Sequence, residues 1–375
     1  MAVRQKRYVE KLKLYQPAKT LEAVSRERNV RKEDIIKLAG NENRLGCSDR
    51  VKQVVQQAAD RYSFYPDMCA TRLRTVLAGK HDIAPENLIF GNGSFELISL
   101  VGAAYIEEGD ETISADPSFG WYINVTEING GIPVLVPVNG QKQTDLQAIR
   151  RAVTDRTKII WLCNPNNPTG TLLPAEELWT FVEELPEQIL LVLDEAYIDF
   201  VAEEYPDTVS FVKQRKNVLI LRTFSKMYGL ASFRIGYGIA DKEVIEALEK
   251  VKLPINVNML AQEAALAALE DEKFTERVRE NNRRGLDFFY QEFEKLGMEC
   301  IPSQANFVLV HTFLDGKFLE EEFLKRAIIV RAGADFHLTD WLRITVGTQE
   351  DNHRVIAALQ DILQENGIAP VREET

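Results

Sequence analysis

From about residue 40 to about residue 250, short apolar runs alternate with longer amphipathic stretches. The runs are NLIF (87–90), ETISA (111–115), GIPVLVPV (131–138), TKIIWLC (157–163), ILLVLDEA (189–196), NVLILRTF (217–224) and FRIGYGIA (233–240). Strands alternating with helical segments predict an α/β architecture, a mostly parallel central sheet covered by helices on both faces. Residues 1–39 are polar and helical in character, an arm that leads into a helix and contributes part of a smaller domain. After LPINVN (253–258) comes an amphipathic stretch of about forty residues, too long for one ordinary helix without a break. It reads as a hinge helix followed by a second unit, in which NFVLVHT, AIIVRAG and WLRITVG alternate with helical segments in an α+β pattern. The expected division is therefore 1–39 for the arm, 40–255 for a large domain and 256–375 for a small C-terminal domain. No repeat of fixed period and no low-complexity segment interrupts it.

Charge narrows the partners. Asp plus Glu number 57 against 45 Lys plus Arg, a formal charge of −12 that opposes a phosphate backbone and argues against nucleic acid. No apolar run approaches the length of about 18 residues that a membrane span needs. The four cysteines (Cys47, Cys69, Cys163, Cys300) show no C-x-x-C spacing and MAVRQKRYVEKLKLY has no apolar signal region, so the expectation is a reduced, cytoplasmic protein. The four histidines are scattered without metal-ligand spacing, and no metal site is expected.

In open α/β sheets the ligand lies beyond the carboxyl ends of the strands. Five polar clusters fall there: GNGS (91–94), DPSFGWY (116–122), NPNNPTG (164–170), DEAY (194–197) and TFSK (223–226). GNGSFE lacks the third glycine of a dinucleotide fingerprint, Glu96 standing in its place, yet a helix opening at Ser94 can present backbone N–H groups to one phosphate. Its plainer reading is a tight strand-to-helix turn. In NPNNPTG the prolines restrict Asn164 and Asn167 to extended or turn geometry, fixing an amide in space. Asp194 closes a buried apolar run and so should face a cation or a hydrogen-bond donor; alone, it could equally turn to solvent. Tyr197 could be ordinary core. Lys226, among Thr223, Ser225, Tyr228 and Gly229, is placed for partial desolvation, which lowers an amine's pKa and makes it a nucleophile toward carbonyls. Together, a lysine, a carboxylate, an amide, a phenol and a phosphate cradle match pyridoxal 5'-phosphate, held by a lysine Schiff base with an acidic partner at its pyridine nitrogen.

On these residues, and on LYQPAKTLEAVSRERN, LAGNENRLG, RYSFYPDMCATRLR, LDEAYIDF, LRTFSKMYGLASFRIGYGIA and LRITVGT, the chain resembles the fold-type I pyridoxal-phosphate aminotransferases, and among them the histidinol-phosphate aminotransferases. The resemblance implies that Lys226 carries the cofactor, that Asp194 binds its pyridine nitrogen, that Asn167 and Tyr197 bind its ring oxygen, and that Tyr122 stacks on the ring. It assigns the cofactor phosphate to the backbone of Ser94 and Phe95, to Thr223, Ser225 and Arg234, and to Tyr65 of a neighbouring subunit in a homodimer. It assigns the substrate's anionic group to Arg343, with Tyr15, Asn167 and Arg331 as companions. A phosphate dianion calls for more than one cation, so Arg331 with Arg343 favours histidinol phosphate as amino donor, with 2-oxoglutarate as the other substrate. The alternatives are an aromatic or other amino-acid aminotransferase, a phosphothreonine decarboxylase of the same fold, or a cofactor-binding regulator without catalysis. Three positions depart from the family pattern: Phe95 where G-S-D-E is usual, Arg44 in place of the proline after NEN, and Met68-Cys69 after YPD.

Overall fold

The computed structural model describes residues 3–12, 19–201 and 205–368. A two-residue strand, β1 (Ile36–Lys37), precedes the main sheet of β2 (Leu88–Gly91), β3 (Glu111–Asp116), β4 (Ile132–Pro137), β5 (Thr157–Cys163), β6 (Leu190–Asp194), β7 (Val218–Thr223) and β8 (Gly236–Ala240). Its spatial order is β2-β8-β7-β6-β5-β3-β4. The pairs from β4 through β7 are parallel, and β8 runs antiparallel to both of its neighbours. All seven apolar runs become strands of this one sheet. The central strands are buried on both faces, which is why they read as continuous apolar runs; β4 lies at an edge, is partly exposed, and carries two prolines that an edge tolerates.

The strand order reverses between β3 and β5, and the loops leaving these two strands, DPSFGWY and NPNNPTG, flank the crevice that such a reversal opens. The second unit contains β9 (Cys300–Ile301), β10 (Phe307–His311), β11 (Ile328–Ile329), β12 (Arg331–Ala332) and β13 (Trp341–Thr345). An antiparallel sheet is ordered β12-β13-β10-β9, while β1 pairs in parallel with β11. The arm is thereby stitched into the small unit, where Ile36 and Leu38 join its core.

The long amphipathic stretch does break, at Glu270-Asp271, into the helices Met259–Leu269 and Glu272–Lys295; the Asp271 carboxylate accepts from the Phe274 N–H to start the second. The break does not coincide with the expected division at 256. Ala261, Ala264, Ala265 and Ala268 of the first helix pack into the large core against the helices Asp49–Gln57 and Thr71–His81, because their small side chains let the backbones approach. The second helix crosses between units, with Phe274 and Val278 in the large core and Leu286, Phe289 and Phe293 in the small one. Among the described residues no helix is long and apolar enough to cross a membrane, and no group of His, Cys, Asp or Glu is arranged to hold a metal ion.

Candidate active site

Strand β7 delivers Lys226 to the crevice three residues past its last paired residue. Its Nζ donates to the Gly40 carbonyl at 2.8 Å and lies 6.0 Å from the centre of the Tyr197 ring. Burial, then the Arg343 guanidinium, push the amine down to about 8, with Glu42 opposing and Arg234 and Lys37 contributing. The turn that carries it is held from outside: Asn43 Nδ2 donates to the Met227 carbonyl at 2.8 Å, and Gly229, at φ +69°, has no room for a Cβ against the Gly46 carbonyl.

Asp194, at the end of β6, is 4% exposed. The Tyr122 hydroxyl donates to its Oδ2 at 2.7 Å and the Ala196 N–H to its Oδ1 at 3.2 Å. Burial pushes the carboxyl up to about 6, and no ion pair to it is found among the described residues. Tyr122 thus sits differently from the ring-stacking position that the resemblance implies. It is 1% exposed, stacked on Trp161 at 5.1 Å and turned edge-on to Phe119 at 5.5 Å, so its ring belongs to the wall behind the crevice and its hydroxyl to Asp194. Phe119, three residues earlier and half-buried, is the more exposed of the two rings, in edge contact with Phe95 at 5.1 Å. Tyr197 is buried edge-on to Phe307 and accepts a hydrogen bond from Asn41 Nδ2 at 2.9 Å. Its phenol is pushed up by burial, against the pull of Arg343 and Asn41.

The chain builds an anion cradle at the other end. The helix Ser94–Tyr105 begins after Gly93 at φ +75° with no side-chain cap, leaving its first N–H groups, those of Ser94 and Phe95 included, without intrahelical partners. A Cβ on Gly93 would meet Arg234 Nη2 at 2.5 Å, and one on Gly236 would meet the Ser94 nitrogen at 2.6 Å, so both glycines are there for close approach. Thr223 and Ser225 add hydroxyls, 3.0 Å apart. The Glu96 carboxylate is held away by the Asn92 N–H at 2.6 Å and Asn256 Nδ2 at 2.8 Å. This donor set fits a phosphate dianion: backbone N–H groups, two hydroxyls and a guanidinium. Tyr65 is outside the cradle on the surface, 85% exposed beside Tyr62, Phe64 and Met68.

Facing Lys226 from the small unit, Arg343 on β13 is 6% exposed. It donates through Nη1 to Asn167 Oδ1 at 2.5 Å and through Nη2 to the Ala39 carbonyl at 2.6 Å, between the rings of Phe307 and Phe336. Arg331 on β12 stands directly opposite it in register and pairs with Asp335 at 2.7 Å. Tyr15 lies outside the described residues. Of the departures, Arg44 makes a two-pronged ion pair with Asp351 at 2.9 and 3.0 Å, a bolt between the arm and the helix Gln349–Glu365, and Phe95 joins an aromatic cluster with Phe119 and Trp121. Sequence reasoning missed Phe119, Asn41 and the carbonyls of Ala39 and Gly40. The signal for Asn41 was present in Gly40-Asn41, a pair suited to left-handed backbone, and Asn41 indeed adopts φ +54°.

Residues 33–359 match the family model described as aminotransferase class I and II. A histidinol-phosphate aminotransferase of Moorella thermoacetica is 44% identical over 354 residues, 94% of this chain and 91% of that protein. One of Caldicellulosiruptor saccharolyticus is 42% identical over 350 residues, 93% of this chain and 97% of the relative. The crystal structure of histidinol-phosphate aminotransferase from Sinorhizobium meliloti in complex with pyridoxal-5'-phosphate superimposes with a TM-score of 0.89 at 26% identity, over 98% of this chain and 99% of that one. The chain belongs to the aminotransferase class I and II family.

Proposed function

We propose that the protein is a pyridoxal-phosphate-dependent aminotransferase that takes the amino group of histidinol phosphate and passes it to 2-oxoglutarate. The observation that carries the reading is Lys226: a strand-end amine, lowered to about 8, held on a backbone carbonyl and facing Asp194, Tyr197 and Arg343 across one crevice. Relatives of that name, similar over nearly the whole chain, support the substrate.

Bound, the cofactor supplies an aldehyde that condenses with amines and a ring that accepts electrons. This chain's residues do the rest. Asp194, buried without an ion-pair partner among the described residues, would hold a proton on the pyridine nitrogen and gain a positive partner there. Tyr197 and Asn167 would hold the ring oxygen. Ser94, Phe95, Thr223, Ser225 and Arg234 would hold the phosphate, and Phe119 would take the ring face in place of Tyr122. Lys226 Nζ would take the proton from the donor's amine-bearing carbon as a base and, as a general acid, deliver it to the carbon that the cofactor's aldehyde supplies. Arg343 takes the donor's anionic group, with Arg331 as the second cation for a dianion.

The exposed aromatics Tyr62, Phe64 and Tyr65 favour a homodimer in which Tyr65 reaches the neighbour's phosphate cradle, and four free cysteines favour a cytoplasmic setting. The test is borohydride reduction of the yellow holoenzyme followed by peptide mapping, with a coupled assay over a panel of amino donors. The label should fall on Lys226, and histidinol phosphate should give the highest kcat/KM. A label on another lysine sinks the site, and a preference for phenylalanine or tyrosine replaces the substrate.

A further inference from the structure

Three consecutive residues at the end of the arm and just beyond it, Ala39, Gly40 and Asn41, each engage a different group of the crevice: Arg343, Lys226 and Tyr197. The third contact has a direction that can be deduced. The Asn41 backbone N–H donates to Thr345 Oγ1 at 3.0 Å, so that oxygen is an acceptor there. The same hydroxyl lies 3.1 Å from Asn41 Oδ1, and between a hydroxyl and an amide carbonyl the hydroxyl must donate. The reversed amide would aim its NH2 at an oxygen already receiving one N–H and leave the buried hydroxyl proton over. Asn41 Nδ2 therefore faces Tyr197 and donates to the phenol oxygen. A phenol has a single proton, and here Asn41 does not use it, so it is left for the crevice.

The assembly is closed to solvent, with Asn41 and Thr345 each 1% exposed. Asn306 Nδ2, from the residue before β10, donates to the Asn41 carbonyl at 3.1 Å and so helps fix the left-handed backbone. Thr345 lies on β13 two residues beyond Arg343, on the same face of the strand, so one strand carries both the anion contact and the anchor of the amide.

We propose that Asn41 is a positioning residue: oriented by Thr345, it fixes Tyr197 as a donor into the crevice, toward the cofactor's ring oxygen. This rests on the assignment of Tyr197 to that oxygen. The charged and titratable groups facing Tyr197 are Arg343 on β13, Asp194 at the end of β6, Cys163 at the end of β5 and Lys226 beyond β7, and none of them is altered in the test.

Asn41→Asp keeps the shape, tolerates the same backbone, and replaces a donor with an acceptor that draws the phenol proton back. The readouts are the pH at which the visible band of the bound cofactor changes and the equilibrium affinity of the apoprotein for it. With its donor lost, the ring oxygen's negative charge is less stabilised, so the transition should rise by about one pH unit and affinity should fall about tenfold. Tyr197→Phe should move the transition the same way, and the double variant no further than Tyr197→Phe alone. A transition moved by Tyr197→Phe and not by Asn41→Asp, or shifts that add, overturns the proposal alone. A transition that Tyr197→Phe leaves in place overturns the ring-oxygen assignment and the proposal with it. Should Asn41→Asp not fold, Thr345→Val frees the amide without touching Tyr197; a smaller shift in the same direction supports the proposal and an unmoved transition overturns it.

Discussion

Asp194 and Glu195 are consecutive carboxylates at the end of one strand, 4% and 1% exposed, and they meet opposite surroundings. Behind the sheet, Glu195 is answered in full: Arg222 Nε lies 2.8 Å from its Oε2 and the Thr208 hydroxyl donates to Oε1 at 2.5 Å, with Asp207 completing the cluster around the guanidinium. On the crevice side Asp194 receives a phenol and one backbone N–H, and among the described residues no ion pair, with only the charge of Lys226 acting on it from across the site. Burial pushes both carboxyls up. The difference teaches how to tell a structural charge from a functional one. A carboxylate folded around its own permanent cation is finished, whereas one furnished with neutral donors in a crevice is placed for a cation that arrives with a ligand.

The contrast breaks most sharply by substitution. Asp194→Asn should cut turnover by about two to three factors of ten, the size seen when a group that stabilises developing charge is removed. The same variant should melt higher than wild type when both are cofactor-free at pH 8. The sign follows from the carboxyl's rise from 3.8 to about 6: the folded state favours its protonated form, so the cost of ionising Asp194 accumulates between these two pH values and is fully present at pH 8, and an amide removes that cost. A lower melting temperature would mean that Asp194 is a structural charge after all. Glu195→Gln should do the reverse, losing about 3 kcal/mol in a urea titration because buried Arg222 loses its 2.8 Å partner and keeps only the longer pair with Asp207 at 3.4 Å, while turnover per folded molecule stays near wild type. Loss of turnover at full stability would erase the distinction between the two neighbours.

The same logic extends to the cations. Lys226, pushed down where Arg222 is held charged, should capture cofactor in stopped-flow mixing with a rate that climbs about tenfold per pH unit and levels near pH 8, where an ordinary lysine would climb past pH 10. A climb continuing to pH 10 would show an unperturbed amine. Arg331 stands between the extremes, facing the crevice arginine across the strand pair yet already paired with Asp335. Arg331→Ala should therefore have the smallest effect, lowering kcat/KM for histidinol phosphate about tenfold and leaving carboxylate donors unchanged. Equal losses for both donors would make it a support of the sheet.

The sequence made the main sheet legible because fully buried strands leave unbroken apolar runs between polar strand ends, and near those ends Lys226 Nζ lies 6.0 Å from the Tyr197 ring while Asn167 accepts from Arg343. The two-residue strands β1 and β9 carry too little pattern to be seen. For the ring contact DPSFGWY offers three aromatics in four positions, and only the helix that begins at Trp121 shows that the Tyr122 ring is turned inward and Phe119 is the more exposed. Arg44 stood out only as a departure from the family pattern, because its partner Asp351 is 307 residues away, beyond the reach of any local pattern. For Asn41 the local pair Gly40-Asn41 signalled the left-handed backbone, while its partners Tyr197 and Thr345 lie 156 and 304 residues away.

That separation bears on how the site comes into being. The arm is synthesised early, yet the hydroxyl that sets Asn41 follows 304 residues later, and Arg343 arrives on the same late strand. Contacts of such long range form after local ones, since the entropy of closing the loop must be met before they are made. A nascent chain can thus finish the sheet that carries Lys226 well before it can finish the crevice, and a product cut short ahead of β13 would hold a reactive amine with neither its anion contact nor its oriented phenol.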